Sequence, residues 1–350
     1  MRFIHLADVH LGVVPDKGSP WSVSRGEEIW ETFRRVFEHI RENPVDLLFI
    51  AGDLFHRQPL LRELKEVNYL FQKIPETRIY LIAGNHDYIR KDSRYRDFLW
   101  AENVIFFPEE KLQCVKDPLL PVFVYGFSYH HQEIRRDILR DACPGKEEGL
   151  HILLAHGGDP EHVPFQISRL SSLGFDYLAL GHIHKPELML RSSAAYCGAL
   201  EPTERNDLGD HGFIEGWLEN GRLRVKFIPF AKRSYAQILI TVNEETTQAS
   251  LEDILERELQ RKGKENLYRV ILRGERSPDL MLLPERLKKM GNITEVKDDS
   301  RPIYDLELLE KQYAGTLVGD YIQYFSGRAL GPREEKALYY GLQALLETSR

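Results

Sequence analysis

The side chains best suited to chemistry in this chain are Asp8, His10, Asp53, Asn85, His86, Asp87, His156, His182 and His184. Each stands at or just beyond the end of a short apolar run: RFIHLADVH, DLLFIAGD, IYLIAGNHD, HILLAHGG and FDYLALGHIH. Imidazole nitrogens, carboxylates and one amide oxygen together form a donor set that suits Mn, Fe or Zn better than Ca or Mg. A carboxylate can bridge two cations because each oxygen has lone pairs to give, and Asp53 is the candidate bridge, with Gly52 before it to let the backbone approach closely. Asn85 adds only a neutral carbonyl oxygen, which limits negative charge and leaves the ions electrophilic. Two ions held about 3.5–4 Å apart can share a hydroxide and clamp phosphate oxygens for in-line attack. Asp-x-His, Gly-Asp or Gly-His-Ile-His alone is commonly a cap, a turn or an exposed loop. Counting His56, three residues past Asp53, six of the thirteen histidines lie in these clusters, and each cluster follows an apolar run, which separate accidents would not produce.

Such donors need buried strands that deliver side chains at their carboxyl ends, where open α/β sheets place ligands. Strand-like runs alternate with amphipathic segments over residues 1–232, which predicts one α/β domain. Glu27–Arg41 and Leu60–Ile74 have helical apolar spacing and stop before Pro44 and Pro75. The basic stretch Arg222, Arg224, Lys226, Lys232 and Arg233 reads first as a solvated edge strand, where charge discourages unwanted pairing, and second as a surface that tracks phosphates. Residues 233–303 read as a small α/β cap domain. Its strands are expected at Gln237–Val242, Tyr268–Arg273 and Ile293–Val296, and its helices at Leu251–Lys262, capped by Ser250, and Leu282–Met290. Residues 304–350 read as a helical segment, with helices at Tyr304–Tyr313, Leu317–Phe325 and Pro332–Thr348, the last opening with proline at its first position.

A net charge of −7 argues against a polybasic nucleic-acid binder, though a local basic stripe over a metal site would suffice for DNA. Three scattered cysteines give neither a disulfide framework nor a zinc-type CxxC pair, which fits a reducing cytoplasm. The chain opens directly on a strand-like run, and no apolar stretch approaches the roughly 20 residues of a membrane helix, so a cytoplasmic protein without a membrane partner is expected.

The ordered series Asp8-x-His10, Gly52-Asp53-Leu54-Phe55-His56, Gly84-Asn85-His86-Asp87, His156-Gly157 and Gly181-His182-Ile183-His184 resembles the calcineurin-like metallophosphoesterase superfamily. Asp53-Leu54-Phe55-His56, and Tyr196-Cys197-Gly198-Ala199-Leu200 followed by Gly212-Phe213, resemble its SbcD-type DNA double-strand-break repair nucleases. The resemblance implies a four-layer α-β-β-α sandwich with a smaller C-terminal α/β cap domain and terminal helices. It assigns Asp8, His10, Asp53 and His184 to one metal and Asp53, Asn85, His156 and His182 to the other. It makes His86 the non-ligand histidine that stabilises the transition state or protonates the leaving oxygen, with Asp87 orienting its ring. His56 would lie beside the site, touching substrate or merely supporting the ligands. Also implied are two Mn ions, hydrolysis of DNA by exonuclease and single-strand endonuclease action, a homodimer and an SMC-like coiled-coil ATPase partner. Leu60–Ile74 and Arg96–Asn103 are the candidate dimer helices, with packing on their own core as the alternative. A phosphatase or cyclic-nucleotide phosphodiesterase of the same fold is the first rival. The phosphoprotein phosphatases typically carry Asp-Arg-Gly after the Gly-Asp motif, where this chain has Phe55-His56-Arg57-Gln58. The second rival, a scaffold that has lost its metals, is disfavoured because every ligand position holds a competent donor.

Overall fold

In a computed structural model, which describes residues 1–190, 193–219 and 221–348, the chain forms two compact units, Met1–Tyr235 and the part that begins at Ala236. The first unit runs β1 (Arg2–Leu6), α1 (Ser22–Glu42), β2 (Leu47–Ala51), α2 (Leu61–Gln72), β3 (Arg78–Ile82), α3 (Arg94–Asp97) and β4 (Val104–Phe106). It continues with β5 (Gln113–Lys116), β6 (Val122–Gly126), β7 (Leu150–His156), α4 (Ile167–Ser172), β8 (Tyr177–Gly181), β9 (Glu187–Met189), β10 (Ala194–Tyr196), β11 (Gly212–Glu219) and β12 (Arg222–Pro229). These strands form two six-stranded sheets, ordered β12-β11-β1-β2-β3-β4 and β5-β6-β7-β8-β10-β9. Strands β1 to β4 are parallel to one another, as are β6, β7 and β8.

The central strands read as unbroken apolar runs because both of their faces are covered. Side chains alternate between faces. Phe3, Leu47, Phe49, Tyr80 and Ile82 of the first sheet meet Val122, Val124, Ile152, Leu154, Tyr177 and Ala179 of the second in one core between the sheets. The opposite parity of the first sheet, Ile4, Leu6, Leu48, Ile50, Ile79 and Leu81, packs under Ile29, Phe33, Val36 and Phe37 of α1 and Leu64, Val67 and Phe71 of α2. The outer face of the second sheet, Phe123, Tyr125, Leu153, Ala155, Leu178 and Leu180, is covered by Leu139, Val163, Leu170 and Phe175. The result is an α-β-β-α sandwich whose fourth layer is mostly loop, since α4 has six residues.

The basic stretch behaves as the edge-strand reading expects. Arg222, Arg224 and Lys226 point outward from β12 at the rim of the first sheet. Lys232 pairs with Glu31 at 2.6 Å and Arg233 with Glu28 at 2.7 Å. The expected helix over Arg96–Asn103 does not form. Helix α3 stops at Asp97, and from Phe98 the chain is extended. Phe98 and Trp100 turn onto the first-sheet core while Leu99 between them is exposed. That alternation has period two, a strand-like spacing, and Asn103 pins the segment by donating to the carbonyls of Phe71, Ile74 and Thr77.

In the second unit β13 (Tyr235–Val242), α5 (Gln248–Lys262), β14 (Leu267–Arg276), α6 (Pro284–Lys288), β15 (Ile293–Asp298) and β16 (Arg301–Pro302) build a four-stranded sheet with helices on it. Its core joins Ile238, Ile240, Val270 and Leu272 to Leu251, Leu255 and Leu259 of α5. The cap of α5 is Thr247 rather than the expected Ser250. The Thr247 hydroxyl accepts from Ser250 N–H, and the Ser250 hydroxyl answers at Thr247 N–H, a reciprocal pair that starts the helix three residues earlier. Three helices follow, α7 (Leu306–Gln312), α8 (Leu317–Phe325) and α9 (Pro332–Thr348), closed around Val318, Ile322 and Leu342. No helix among the described residues is long and apolar enough to cross a membrane.

Candidate metal centre

Strands β1, β2, β3, β7 and β8 release their last residues on one side of the two sheets, and there the predicted donors meet. The connections are tight. Asp8, His10, Asp53 and His182 all have positive φ, at 50°, 51°, 50° and 94°, a backbone state costing about 1–3 kcal/mol for a residue with a Cβ. Neighbouring backbone over-determines it: Asp8 N–H donates to Gly52 C=O at 3.1 Å, and His10 N–H to Asp53 C=O at 3.0 Å. Two glycines are dictated by space. A Cβ on Gly52, itself at φ 92°, would lie 2.5 Å from His156 Nδ1, and one on Gly84 would lie 2.2 Å from Asp53 Oδ1.

The donor atoms form one continuous cluster. His10 Nε2 lies 3.0 Å from His184 Nε2 and 3.8 Å from Asp53 Oδ2. The same Asp53 oxygen lies 3.3 Å from His156 Nε2. His156 Nε2 is 2.9 Å from Asn85 Oδ1, which is 3.2 Å from His182 Nδ1. Ligand atoms of Asp8, His10 and His184 all lie within 4.8 Å of one another, as do those of Asp8, Asp53 and His156. Asp8, His10, Asp53 and His156 are buried. Two imidazole nitrogens 3.0 Å apart, as in His10 and His184, have nothing to share between them except a proton or a cation. The carboxylate, imidazole and amide donors on either side of Asp53 therefore fit a binuclear metal site.

Three of the rings are aimed by their other nitrogen. Carbonyl and carboxylate oxygens only accept here, so the nitrogen facing them carries the proton. His156 Nδ1 donates to Ala51 C=O at 2.9 Å, His182 Nε2 to Asp159 Oδ2 at 2.6 Å, and His184 Nδ1 to Asp207 Oδ2 at 3.2 Å. That leaves Nε2, Nδ1 and Nε2, respectively, turned into the cluster. The carboxylates are held by backbone instead. His182 N–H donates to both oxygens of Asp8, at 3.1 and 2.9 Å, and His86 N–H donates to Asp53 Oδ1 at 2.9 Å.

The electrostatics follow from burial and crowding. Burial drives the His10 imidazole well below its usual range, with the neighbouring histidines adding to the effect against Asp53. Burial, then the charge of His156, holds His182 down at about 4. Burial opposes protonation of His184 and His156 too, but Asp207 and Asp8 raise the first to about 9, and Asp53 and Asp8 raise the second to about 9. Asp53 stays well below the carboxylate range despite its burial, because His156, His10 and His86 surround it.

Asp87 requires a correction. It does not orient the His86 ring. Its carboxylate accepts from Gly84 N–H at 2.8 Å, Phe55 N–H at 3.1 Å and the Tyr95 hydroxyl at 3.1 Å. Asp87 thus ties together the loops after β2 and β3, and burial and Asp53 raise it to about 7. The His86 ring is aimed by a backbone group, with Nδ1 3.2 Å from the carbonyl of His56. The His56 ring stacks on that of His86 at 4.9 Å between centroids, and its Nδ1 is 3.4 Å from His10 Nδ1. Both rings are partly exposed at the mouth of the cluster.

Sequence reasoning missed Asp159, Asp207, His162 and Tyr95. Asp159 follows the His156-Gly157-Gly158 strand end by one residue, a signal that could have flagged it. It also accepts from His162 Nδ1 at 3.0 Å, so His162 joins His182 around one carboxylate. Asp207 lies 23 residues past His184 in an irregular loop and had no local signal.

Compared with known proteins, residues 1–186 match the family model described as Calcineurin-like phosphoesterase. The chain is 28% identical over 306 residues to the uncharacterized metallophosphoesterase YhaO of Bacillus subtilis, covering 81% of this chain and 74% of that one. It is 26% identical to the DNA double-strand break repair protein Mre11 of Methanocaldococcus jannaschii, covering 60% of this chain and 59% of that one. A component of the nuclease SbcCD of Staphylococcus epidermidis is 24% identical, covering 77% of this chain and 78% of that one.

Proposed function

Because the chain belongs to the calcineurin-like phosphoesterase family, and so is a metal-dependent phosphoesterase with a His/Asp cluster fit for two ions, we propose that it is a manganese-dependent phosphodiesterase that cuts DNA. The observation that carries this reading is the position of Asp53, whose one oxygen lies between His10 on one side and His156 on the other. The similarity to Mre11 and to the SbcCD nuclease supports DNA as the substrate and exonuclease or endonuclease action in repair. A homodimer and an SMC-like coiled-coil ATPase partner belong to the same reading.

In this reading Asp8, His10, Asp53 and His184 hold one ion, and Asp53, Asn85, His156 and His182 the other. When bound, the ions supply an activated water and neutralise charge on the phosphate. His86 has two tasks. Its backbone N–H fixes the Asp53 carboxylate, and its Nδ1–H, given to the His56 carbonyl, leaves Nε2 as the atom that would take up a proton from solvent, forming the imidazolium, and pass it to the leaving oxygen. His56 supports that ring by stacking and meets the substrate beside it. Asp87 serves catalysis from beneath, keeping the His56 and His86 loops in register.

The test is cleavage of end-labelled linear DNA with Mn, with Mg and with EDTA, comparing the native chain with His86→Ala. Nucleotide release in Mn, none in EDTA, and a ~10²–10⁴-fold slower variant that still binds metal are expected. Turnover of phosphopeptides or cyclic nucleotides alone would remove DNA as the substrate, and an unimpaired variant would remove His86 from proton transfer.

A further inference from the structure

The C-terminal unit contains a cleft of about 460 Å³ between the β14–β16 edge and helix α9. At its base lies Arg276, the last residue of β14 and only 8% exposed. Its Nε donates to the Ser300 hydroxyl at 3.1 Å, and the Asp298 carboxylate stays 3.7 Å from Nη2. Among the described residues neither Nη atom makes a hydrogen bond, and neither is sealed from water, so both donors of the fork stay open to the cleft.

The facing helix is built unlike a packing surface. Lys336, Tyr339, Tyr340 and Gln343 follow the i, i+3, i+4, i+7 spacing of one stripe and line the cleft. The apolar stripe through Leu338 and Leu342 is buried on its own side. Lys336 is exposed and makes no ion pair among the described residues. Arg301 reaches Glu335 only at 3.8 Å. Of the two acids at the rim, Asp299 pairs with Lys297 Nζ at 2.9 Å, while Asp298 accepts from the backbone and hydroxyl of Ser300 through Oδ1 and reaches Arg276 only at 3.7 Å through Oδ2. The open fork of the Arg276 guanidinium, a free ammonium and a second guanidinium around one opening match a tetrahedral dianion. Tyr340, 72% exposed at the edge, offers a flat face beside it.

We propose that this cleft binds the phosphoryl group of a small ligand, either free phosphate or a mononucleotide whose base lies on Tyr340. Titration calorimetry of the full chain with inorganic phosphate and with dAMP, each with and without EDTA, tests it. Expected is binding that survives EDTA and weakens about tenfold or more in both Arg276→Gln and Lys336→Gln, the worth of one charge-assisted contact. Melting curves check that Arg276→Gln folds, and the exposed Lys336 variant decides the matter by itself if it does not. Tighter binding of dAMP than of phosphate, levelled by Tyr340→Ala, identifies the nucleotide; equal binding identifies free phosphate. No binding at millimolar ligand, binding abolished by EDTA, or binding that Lys336→Gln leaves unchanged would overturn the site. DNA cleavage is read separately, so either conclusion can fail without the other.

Discussion

The two sheets contribute to the metal centre in opposite ways. The first supplies both carboxylates, Asp8 and Asp53, on left-handed turns, and backbone N–H groups hold them. The second supplies imidazoles, and an oxygen behind each ring holds it: Ala51 for His156, Asp159 for His182 and Asp207 for His184. A carboxylate has two oxygens, so one can take a backbone proton while the other faces a cation. An imidazole has two nitrogens with one proton between them, so its aim depends on an acceptor at the far side. Both halves are closed by residues distant in sequence, but the carboxylates by backbone N–H groups, His182 to Asp8 and His86 to Asp53, and the imidazoles by a carbonyl or a carboxylate.

The contrast can be broken most severely at its meeting point. Asp53→Asn removes the oxygen shared by both halves, so elemental analysis of the purified variant should find fewer than two ions per chain, with phosphoesterase activity reduced more than in His86→Ala. Two ions retained at full occupancy would show that the halves do not depend on a common carboxylate. Next in size, Asp159→Asn and Asp207→Asn should each weaken metal binding roughly 10–100-fold while leaving the fold intact, the usual effect of freeing a ligand histidine from its carboxylate. Competition with a chelating dye measures this, and an unchanged dissociation constant would mean that the rings are aimed by packing alone.

The smallest effect concerns a buried ion network in which the helix over the first sheet meets the chain leaving the second. Arg25 reaches Glu28 at 2.9 Å and Glu201 at 3.4 Å, and Arg233 reaches the other oxygen of Glu28. Burial raises the Glu28 carboxyl, but Arg233 and Arg25 overcome it and hold the group below the usual carboxylate range. A carboxyl depressed in the folded state adds stability at neutral pH that is lost as pH falls through its folded value. In EDTA, the melting temperature of the native chain should fall more steeply below about pH 4.5 than that of Glu28→Gln. Parallel curves would mean that the network adds nothing pH-dependent to the join.

Legibility in the sequence followed the range of the interactions. Apolar runs ending in Asp8, Asp53, Asn85, His156 and His182 announce buried strands and their carboxyl-end donors, because strand burial and side-chain alternation are written within five or six residues. The helical spacing of α1, α2 and α8 is readable for the same reason. The helix expected over Arg96–Asn103 rested on position within the resemblance alone, whereas the two-residue spacing of Phe98 and Trp100 is that of an extended chain. Ser250 resembles the cap because it sits beside the first apolar residue of α5, whereas the reciprocal bond with Thr247 is what starts the helix. Adjacency pairs Asp87 with His86, yet Tyr95 and two loop amides hold it in place.

By itself the sequence determined which residues could bind cations and that strands would carry them to one edge, since periodicity, glycine placement and side-chain chemistry are properties of short segments. Only the tertiary structure decided which nitrogen of each ring faces the cluster and which carboxylate stands behind it. Hydrogen bonds between residues 23 to 174 positions apart are set by which strand ends the fold makes neighbours, within a sheet for His182 to Asp159 and between the sheets for His182 to Asp8, and no local pattern encodes that.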